Sequence, residues 1–304
     1  FNQKITGTFD IYKRVTKDLI GKTPIAAGTN FSNFLTTNVG EMENKGYEIS
    51  LTYHAITTKD MSLEFGANLS HNENTITALS KVKSMEAEAS YDVGGISGGA
   101  DNKVMRNTTG YAANTFYLFK QIYGANGMPI EGLYYDKTGK GGDVTGNNDN
   151  KYMMETPTPD YMIGMTTKFT YKNFDFSMAG RLSLGNYVYN NNASNRAIYQ
   201  NLYNQSGYLA NIPKDVLKSN FKLAQYWSDF YLEDASFFKM DNITVGYSFD
   251  KLITNKISGR ISATVQNAFT ITKYSGLDPE VDGGIDNNIY PRPRVYMLGV
   301  NLNF

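Results

Sequence analysis

Side chains suited to catalysis are scarce in this chain. The sequence holds two histidines, His54 and His71, and no cysteine. Neither histidine stands in an H-E-x-x-H spacing, and the two offer no serine, histidine and acid constellation for nucleophilic catalysis. Without cysteine, disulfides and thiolate metal sites are excluded. We therefore expect a protein that is not an enzyme.

Side chains suited to binding a polar ligand are more frequent. Residues 187–203 are rich in tyrosine and asparagine, and the candidates there are Tyr187, Tyr189 and Asn191. Aromatic rings stack on the apolar faces of sugars or peptides, and amides pair with hydroxyl groups. The segment therefore predicts a ligand-binding loop, with ordinary loop chemistry as the open alternative.

The elements that hold these groups are predicted by an alternation of apolar and polar residues along most of the chain. Residues 47–55 place two tyrosines, an isoleucine, a leucine and an alanine on one face, against Glu48, Ser50, Thr52 and His54 on the other. A period of two is the signature of strands with one apolar face. Eight such segments begin near residues 5, 47, 63, 161, 174, 243, 261 and 296. The fold class is therefore all-β, with antiparallel strands.

Composition excludes several classes of protein. The 29 basic and 29 acidic residues give a net charge of zero, which argues against a nucleic-acid-binding surface. Mean hydropathy is −0.41, and no purely apolar run is longer than a tetrapeptide such as Phe116–Phe119. A transmembrane helix needs about 20 such residues. A membrane β-barrel stays open, because its signal is alternation.

Strand and connection lengths favour a membrane barrel over a soluble sandwich. Tyr161 and Tyr171 share one face of a strand and are ten residues apart, which corresponds to about 33 Å along the strand. Tilted by about 45°, this becomes roughly 23 Å, close to the ~25 Å between the aromatic girdles of outer-membrane barrels. Short connections at Thr57–Met61 and Lys172–Asn173 alternate with long ones, such as Lys17–Lys45. A soluble β-sandwich remains the alternative.

Five segments carry a resemblance to a known family. They read NVGEMENKGYEISL at residues 38–51, PTPDYMIGMTTKFTYKNFDFSMAG at 157–180, WSDFYLEDASFFKMDNITVGYSF at 227–249, QNAFTITKYSGLDPEV at 266–281 and YPRPRVYMLGVNLNF at 290–304. In this order and spacing the chain resembles the C-terminal third of the SusC/RagA-type TonB-dependent outer-membrane transporters of the Bacteroidetes.

The resemblance implies a barrel of roughly 22 strands with an N-terminal plug, in the bacterial outer membrane. It also implies energy from TonB and a SusD-like surface lipoprotein as a lid. Such transporters usually import oligosaccharides and sometimes peptides. Residues 1–304 would supply about the last eight strands, with 78–160 and 186–236 as long extracellular loops. The signal peptide, TonB-binding segment, plug and earlier strands have no counterpart here, so we expect a fragment of a longer protein.

Several residues acquire expected roles from this resemblance. Lys168, Arg181 and Arg260 would line the lumen, where they would bind substrate or hold the plug. The family often has an acidic loop near residues 134–150, and three aspartates in that segment suit a calcium ion. These residues are Asp136, Asp143 and Asp149. A solvated loop without metal is the alternative, and no other cofactor is expected.

Two apolar features complete the expectations. Phe116, Tyr117 and Phe119 form a cluster that predicts either docking to the lipoprotein lid or packing within the loop. The last strand resembles the signal read by the barrel-assembly machinery, and its outward residues, which would meet membrane lipid, are Tyr296, Leu298, Val300, Leu302 and Phe304. The expected function is TonB-dependent import of a large polar nutrient, an oligosaccharide rather than a peptide. The rival is a small structural or adhesive barrel complete in about eight strands, which would conduct nothing large.

Overall fold

The chain, described by a computed structural model, consists mainly of strands. The structure describes residues 4–25, 28, 31–81, 89–203, 206–252, 257–287 and 290–303. The strands are β1 (Ile5–Pro24), β2 (Phe34–Thr57), β3 (Met61–Ala78), β4 (Tyr91–Gly95), β5 (Lys103–Asn107), β6 (Thr115–Leu118), β7 (Gln121–Tyr123), β8 (Pro129–Tyr134), β9 (Tyr152–Met153), β10 (Tyr161–Tyr171), β11 (Phe174–Leu184), β12 (Tyr187–Tyr189), β13 (Leu232–Asp234), β14 (Phe237–Leu252), β15 (Ile257–Thr272) and β16 (Val295–Asn303). Two short helices are α1 (Asn191–Arg196) and α2 (Val216–Ser219). Single 3-10 turns cover Asn148–Asn150, Tyr199–Leu202, Asp229–Tyr231 and Asp282–Gly284.

Eight of the strands form one sheet that follows the order of the chain. Its order is β1-β2-β3-β10-β11-β14-β15-β16, and every neighbouring pair is antiparallel. Short connections join β2 to β3, β10 to β11 and β14 to β15 at one end of the sheet, here called the turn end. Long connections lie at the other end, the loop end. The prediction of eight antiparallel strands and an all-β fold is confirmed.

The first two strands are longer than alternation predicted. They stay paired as far as Pro24 opposite Phe34, so the expected long connection at Lys17–Lys45 is wrong. Near the loop end this hairpin is held by polar contacts, such as the ion pair between Lys13 Nζ and Glu43 Oε2 at 2.9 Å. Apolar side chains such as Val15, Ile20 and Leu35 occur in this extension without a regular period of two, which is why the sequence pattern missed it.

Two rows of aromatic side chains cross the apolar face of the sheet. Near the loop end His71 lies between Tyr47 and Tyr161, with ring centroids 5.2 and 4.9 Å away. Near the turn end Phe174 and Tyr247 are 4.8 Å apart. Exposed apolar side chains between the rows include Leu51, Phe65, Met165 and Val245. An apolar band between aromatic girdles is the surface that a membrane barrel presents to lipid.

The opposite face of the sheet is polar. Hydroxyl groups pair across strands, with Ser62 Oγ 2.5 Å from Thr170 Oγ1 and Thr244 Oγ1 2.9 Å from Thr264 Oγ1. Adjacent residues of a strand point to opposite faces, so a strand that alternates apolar and polar residues separates an apolar surface from a polar one.

The sheet is open. β1 and β16 form its two edges, and within the described ranges the two strands share no ladder. Strands that span a membrane must close into a barrel, because unpaired edges would leave backbone N–H and C=O groups without hydrogen bonds in lipid. The rival expectation of a barrel complete in these eight strands is therefore wrong, because the eight strands do not close on one another.

The connections at the loop end pack together into one unit, here called the loop body, made of the described residues of 79–160, 185–236 and 273–294. It contains the sheet β4-β5-β6-β9 and the pairs β7-β8 and β12-β13. Its buried core comprises Val104, Met105, Phe116, Leu118, Tyr189, Ala193, Ala197, Ile198, Val216, Phe221 and Tyr231. In the described part of the chain, no helix has the length and apolar character needed to cross a membrane.

Candidate functional site

Basic side chains on the polar face are paired with acids. Lys168 Nζ lies 3.4 Å from one oxygen of Glu64, and His54 Nδ1 lies 3.3 Å from the other. Arg260 donates two hydrogen bonds to Asp175, from Nε to Oδ2 at 2.9 Å and from Nη2 to Oδ1 at 2.5 Å. Two of the three predicted lumen cations therefore have their charge compensated by a neighbouring strand.

Arg181, the third, belongs to a larger charge cluster. Its Nη2 lies 2.7 Å from Glu280 Oε1 and 3.3 Å from Asp241 Oδ1. Glu280 Oε2 also accepts a hydrogen bond from Lys239 Nζ at 2.5 Å and contacts Arg292. Glu280 belongs to the connection between β15 and β16, so this cluster ties that connection onto the polar face near the loop end.

Glycines make room for these polar groups. A Cβ at Gly246 would collide with both Arg260 and Asp175, so the bidentate pair needs glycine at that point of β14. A Cβ at Gly164 would lie 2.5 Å from the amide of Asn68. The Asn68 side-chain oxygen accepts a hydrogen bond from the Gly164 N–H at 2.8 Å, which fixes the Asn68 amide against the polar face of the sheet.

A cavity of about 570 Å³ opens beside Arg181. Two further cavities of about 460 and 350 Å³ also touch this side chain. The polar lining of the first cavity includes Asn68, Ser70, Arg181, Ser183, Asn186, Glu280 and Arg292, and the apolar lining includes Pro157, Pro159, Met162 and Phe237. Sequence analysis named Arg181 as a lumen residue but missed the neighbours that make this cavity.

The tyrosine and asparagine candidates of the second long connection are structural. Tyr189 is fully buried and its hydroxyl donates a hydrogen bond to the Tyr226 carbonyl at 2.5 Å. The Asn191 side chain is also fully buried, and it pairs with both backbone groups of Ser97 at 2.8 and 3.1 Å. Tyr187 is half-buried against the same core. The ligand-binding prediction is corrected for Tyr189 and Asn191, because the segment folds into the loop body instead of facing solvent.

The aromatic cluster of the first long connection is also internal. Phe116 is 0% exposed, Tyr117 6% and Phe119 2%. The Phe119 N–H donates to the Trp227 carbonyl at 2.8 Å, which joins the two long connections. These side chains are covered by the chain itself, so the docking role predicted for them is wrong and the packing alternative holds.

A buried lysine at the centre of this region was not anticipated. Lys151 is 4% exposed, and its Nζ lies 5.6, 5.3 and 4.9 Å from the ring centroids of Tyr117, Phe119 and Trp227. In the part of the chain that the structure describes, no carboxylate lies within ion-pair distance of it. Burial lowers the pKa of the Lys151 ammonium group to about 8. No sequence motif predicted this site, because Tyr117 and Phe119 come from one segment, Trp227 from a second and Lys151 from a third.

The three aspartates proposed for calcium are not brought together. A hydrogen bond from the Gly141 N–H lowers the pKa of the Asp136 carboxyl, and the Thr138 hydroxyl and Gly139 N–H also donate to it. The carboxyl of Asp143 likewise accepts from Thr145. Among the described residues, no group of three acids or histidines has the geometry of a metal site. The calcium prediction is corrected for Asp136, Asp143 and Asp149, because turn-forming hydrogen bonds occupy the first two carboxylates.

The final strand lies at an edge of the sheet. Its outward side chains are exposed, from 44% at Leu302 to 86% at Leu298, with Tyr296 and Val300 between these values. Phe304 lies outside the described residues. The alternation required of an assembly signal is present in β16, while recognition by the assembly machinery stays a prediction.

Comparison with known proteins decides the family. The family profile described as TonB dependent receptor-like, beta-barrel, matches residues 1–177. This chain belongs to that family. It is 41% identical over 310 residues to the TonB-dependent receptor SusC of Bacteroides thetaiotaomicron, an alignment that covers 100% of the chain and 30% of the relative. It is 25% identical over 337 residues to the TonB-dependent receptor P3 of Formosa agariphila, covering 100% and 33% of the two chains.

Solved structures agree on the fold of this receptor chain. A structure of the RagAB peptide transporter superposes with a TM-score of 0.76 and 23% identity, over 100% of this chain and 34% of that one. The chain therefore spans about a third of the length of the proteins that it matches. The SusC/RagA-type resemblance is confirmed, and with it the outer-membrane location and a non-enzymatic receptor class. The polar face of the sheet is accordingly the lumen wall, and the apolar face meets lipid.

Proposed function

We propose that the complete receptor imports a large polar nutrient across the outer membrane, an oligosaccharide rather than a peptide. The observation that carries this proposal is the lumen wall, where hydroxyl and amide groups surround cations that are each paired with an acid. Such a wall offers many hydrogen bonds and little net charge, which suits a hydroxyl-rich ligand better than a charged peptide. Lys168 and Arg260 contribute as neutralised pairs rather than as isolated charges.

Import of this kind needs partners outside the present chain. We propose that a SusD-like surface lipoprotein covers the loop end and that the TonB complex acts through a region preceding these strands. Similarity to SusC supports the first partner, and the receptor family supports the second. The loop body would form the extracellular surface beneath the lipoprotein. The barrel-assembly machinery would read β16, and outer-membrane lipid would surround the apolar face.

Uptake by living cells tests the proposal. Strains that lack either the complete receptor or TonB should lose uptake of a labelled, uncharged oligosaccharide pool, while uptake of labelled peptides should be unchanged. A tag on the complete receptor should co-purify a surface lipoprotein. Loss of peptide uptake instead, or normal oligosaccharide uptake in both deletion strains, would contradict the proposed function.

A further inference from the structure

We propose that Arg181 anchors a carbohydrate subsite on the lumen wall, where an uncharged, hydroxyl-rich part of the nutrient binds. This inference rests on the proposed function and names the residues of the same lumen that bind the nutrient. The site is the cavity of about 570 Å³ near the loop end, within the range of about 300–1,000 Å³ typical of small-ligand sites.

Ion pairs fix the guanidinium group of Arg181 but leave some of its N–H donors available. Both of its ion pairs, to Glu280 and Asp241, are made by Nη2. Its Nε and Nη1 have no partner among the residues that the structure describes, and 45% of the side chain is exposed. A planar guanidinium presents five N–H donors in a fixed arrangement. Two carboxylates therefore orient a fork of donors toward the lumen while compensating its charge.

The floor of the cavity supplies the other half of carbohydrate recognition. Met162 is 54% exposed on the lumen face, and it lines the cavity together with Pro157, Pro159 and Phe237. The Asn68 amide is fixed through its oxygen by the Gly164 N–H, which leaves its nitrogen as a donor. Apolar surface beside oriented donors matches a sugar ring, whose faces are apolar and whose rim carries hydroxyl groups.

The charge balance of the cluster around Arg181 favours an uncharged ligand over an acidic one. The cluster contains three cations, Arg181, Lys239 and Arg292, and three acids, which makes its net charge 3 − 3 = 0. The acids are Asp241, Asp278 and Glu280. An anionic ligand would have to displace a carboxylate from Arg181, and breaking such a pair leaves a charge without a partner. Hydroxyl groups can bind the remaining donors while the pairs persist.

Retention of defined glycans by the complete receptor with its lipoprotein tests the subsite. The probes are plant cell-wall oligosaccharides separated by anion exchange into an uncharged and an anionic pool, and retained sugars are identified by mass spectrometry. The variants are Arg181→Ala, Arg181→Lys and Met162→Ala. The matched control is Lys45→Ala, because Lys45 also pairs with an acid, Glu73, and has a similarly exposed side chain, but faces outward.

Wild type should retain sugars from the uncharged pool only. Arg181→Ala and Arg181→Lys should each lower retention about tenfold, since both remove the fork of hydrogen-bond donors. Met162→Ala should lower retention without altering any charge, and Lys45→Ala should have no effect. Heat-modifiable migration of each variant on gels checks that the barrel is intact, and Met162→Ala keeps the test decisive if the Arg181 variants do not assemble.

Three outcomes would overturn the inference. Retention of the anionic pool, preserved by Arg181→Lys, would indicate a simple cation site. Wild-type retention by the Arg181 and Met162 variants would show that the cavity binds nothing, and no retention of either pool by wild type would refute the carbohydrate class. Cellular uptake distinguishes failure of the subsite from failure of the proposed function. If receptor deletion abolishes oligosaccharide uptake but the Arg181 and Met162 variants show normal uptake, only the subsite is refuted.

Discussion

The assignment of faces on β2 makes a sharp prediction for two adjacent residues. Leu51 lies on the apolar face and is 50% exposed. It is four residues from Tyr47, which belongs to the aromatic row near the loop end. Its neighbour Thr52 lies on the lumen wall opposite Gly66, beside a cavity of about 350 Å³. We expect Leu51→Arg to impair assembly of the complete receptor and Thr52→Arg to be tolerated.

The magnitude follows from the depth of the site. The aromatic rows lie about ten residues apart along a strand, as from Tyr161 to Tyr171, so Leu51 is near the middle of the apolar band. Arginine on the lipid face at this depth costs about 2–4 kcal/mol, which corresponds to a roughly 30- to 700-fold shift of the assembly equilibrium. An arginine at Thr52 would stay hydrated, because the lumen wall is wet.

The assay compares the heat-modifiable fraction of each variant in purified outer membranes, normalised to total receptor. Leu51→Arg should leave little assembled barrel, and Thr52→Arg should resemble wild type. Equal losses from both substitutions would refute the face assignment. A larger loss from Thr52→Arg would mean that the apolar and polar faces are reversed.

Three further predictions concern the loop body and the lumen. Phe116→Ala should destabilise the loop body by about 3–5 kcal/mol and speed hydrogen exchange there, whereas Tyr123→Ala, at a 50% exposed site, should not; equal exchange in both variants would contradict the core assignment. Burial lowers the pKa of Lys151 to about 8, against 10.5 for a lysine in the unfolded chain. The buried ammonium group therefore destabilises the folded state by about 3 kcal/mol at pH 7, and this destabilisation falls as pH rises from 8 to 10.5. The loop body should therefore gain about 1 kcal/mol between pH 7 and 9 in hydrogen exchange, and Lys151→Met should remove this gain; an identical pH dependence in the variant would refute it. Asp175→Asn and Arg260→Ala should each destabilise the barrel to urea, and the double variant should lose less than the sum because the pair is broken only once; additive losses would show that the pair contributes nothing.

Sequence alone located the strands wherever one face is apolar. The starts of Tyr161–Tyr171 and Phe174–Leu184 and the two-residue connection between them agree with the prediction, because apolar residues alternate along most of both strands. The same signal failed beyond Tyr12 in β1, where apolar residues no longer alternate with polar ones. Alternation reports a difference between two faces and is silent where none exists.

The candidate site was only partly predictable, because its partners depend on long-range register. Arg181 could be placed on the lumen wall by parity, but Glu280 reaches it from a connection almost a hundred residues later. Asp241 lies at a register shift between Met240 and Asn242, where a bulge breaks the period of two. The burial of Phe116 was equally hidden, since an apolar run does not reveal whether another segment covers it.

The position of the first long connection also has a consequence for the order in which this chain assembles. The ladder between β3 and β10 joins strands separated by residues 79–160, and closing a flexible loop of about eighty residues costs roughly 4 kcal/mol in chain entropy. At its base the two strands are already linked by His71 Nδ1, which lies 2.7 Å from the Asp160 carbonyl oxygen. If the intervening residues fold first, their ends are held near one another and most of that entropy is lost before the strands meet. β1, β2 and β3 pair with their neighbours in sequence as successive hairpins, whereas β10 pairs with β3 across this long connection. Structure formed within this connection before the strands meet would therefore lower the entropic cost of the β3–β10 ladder.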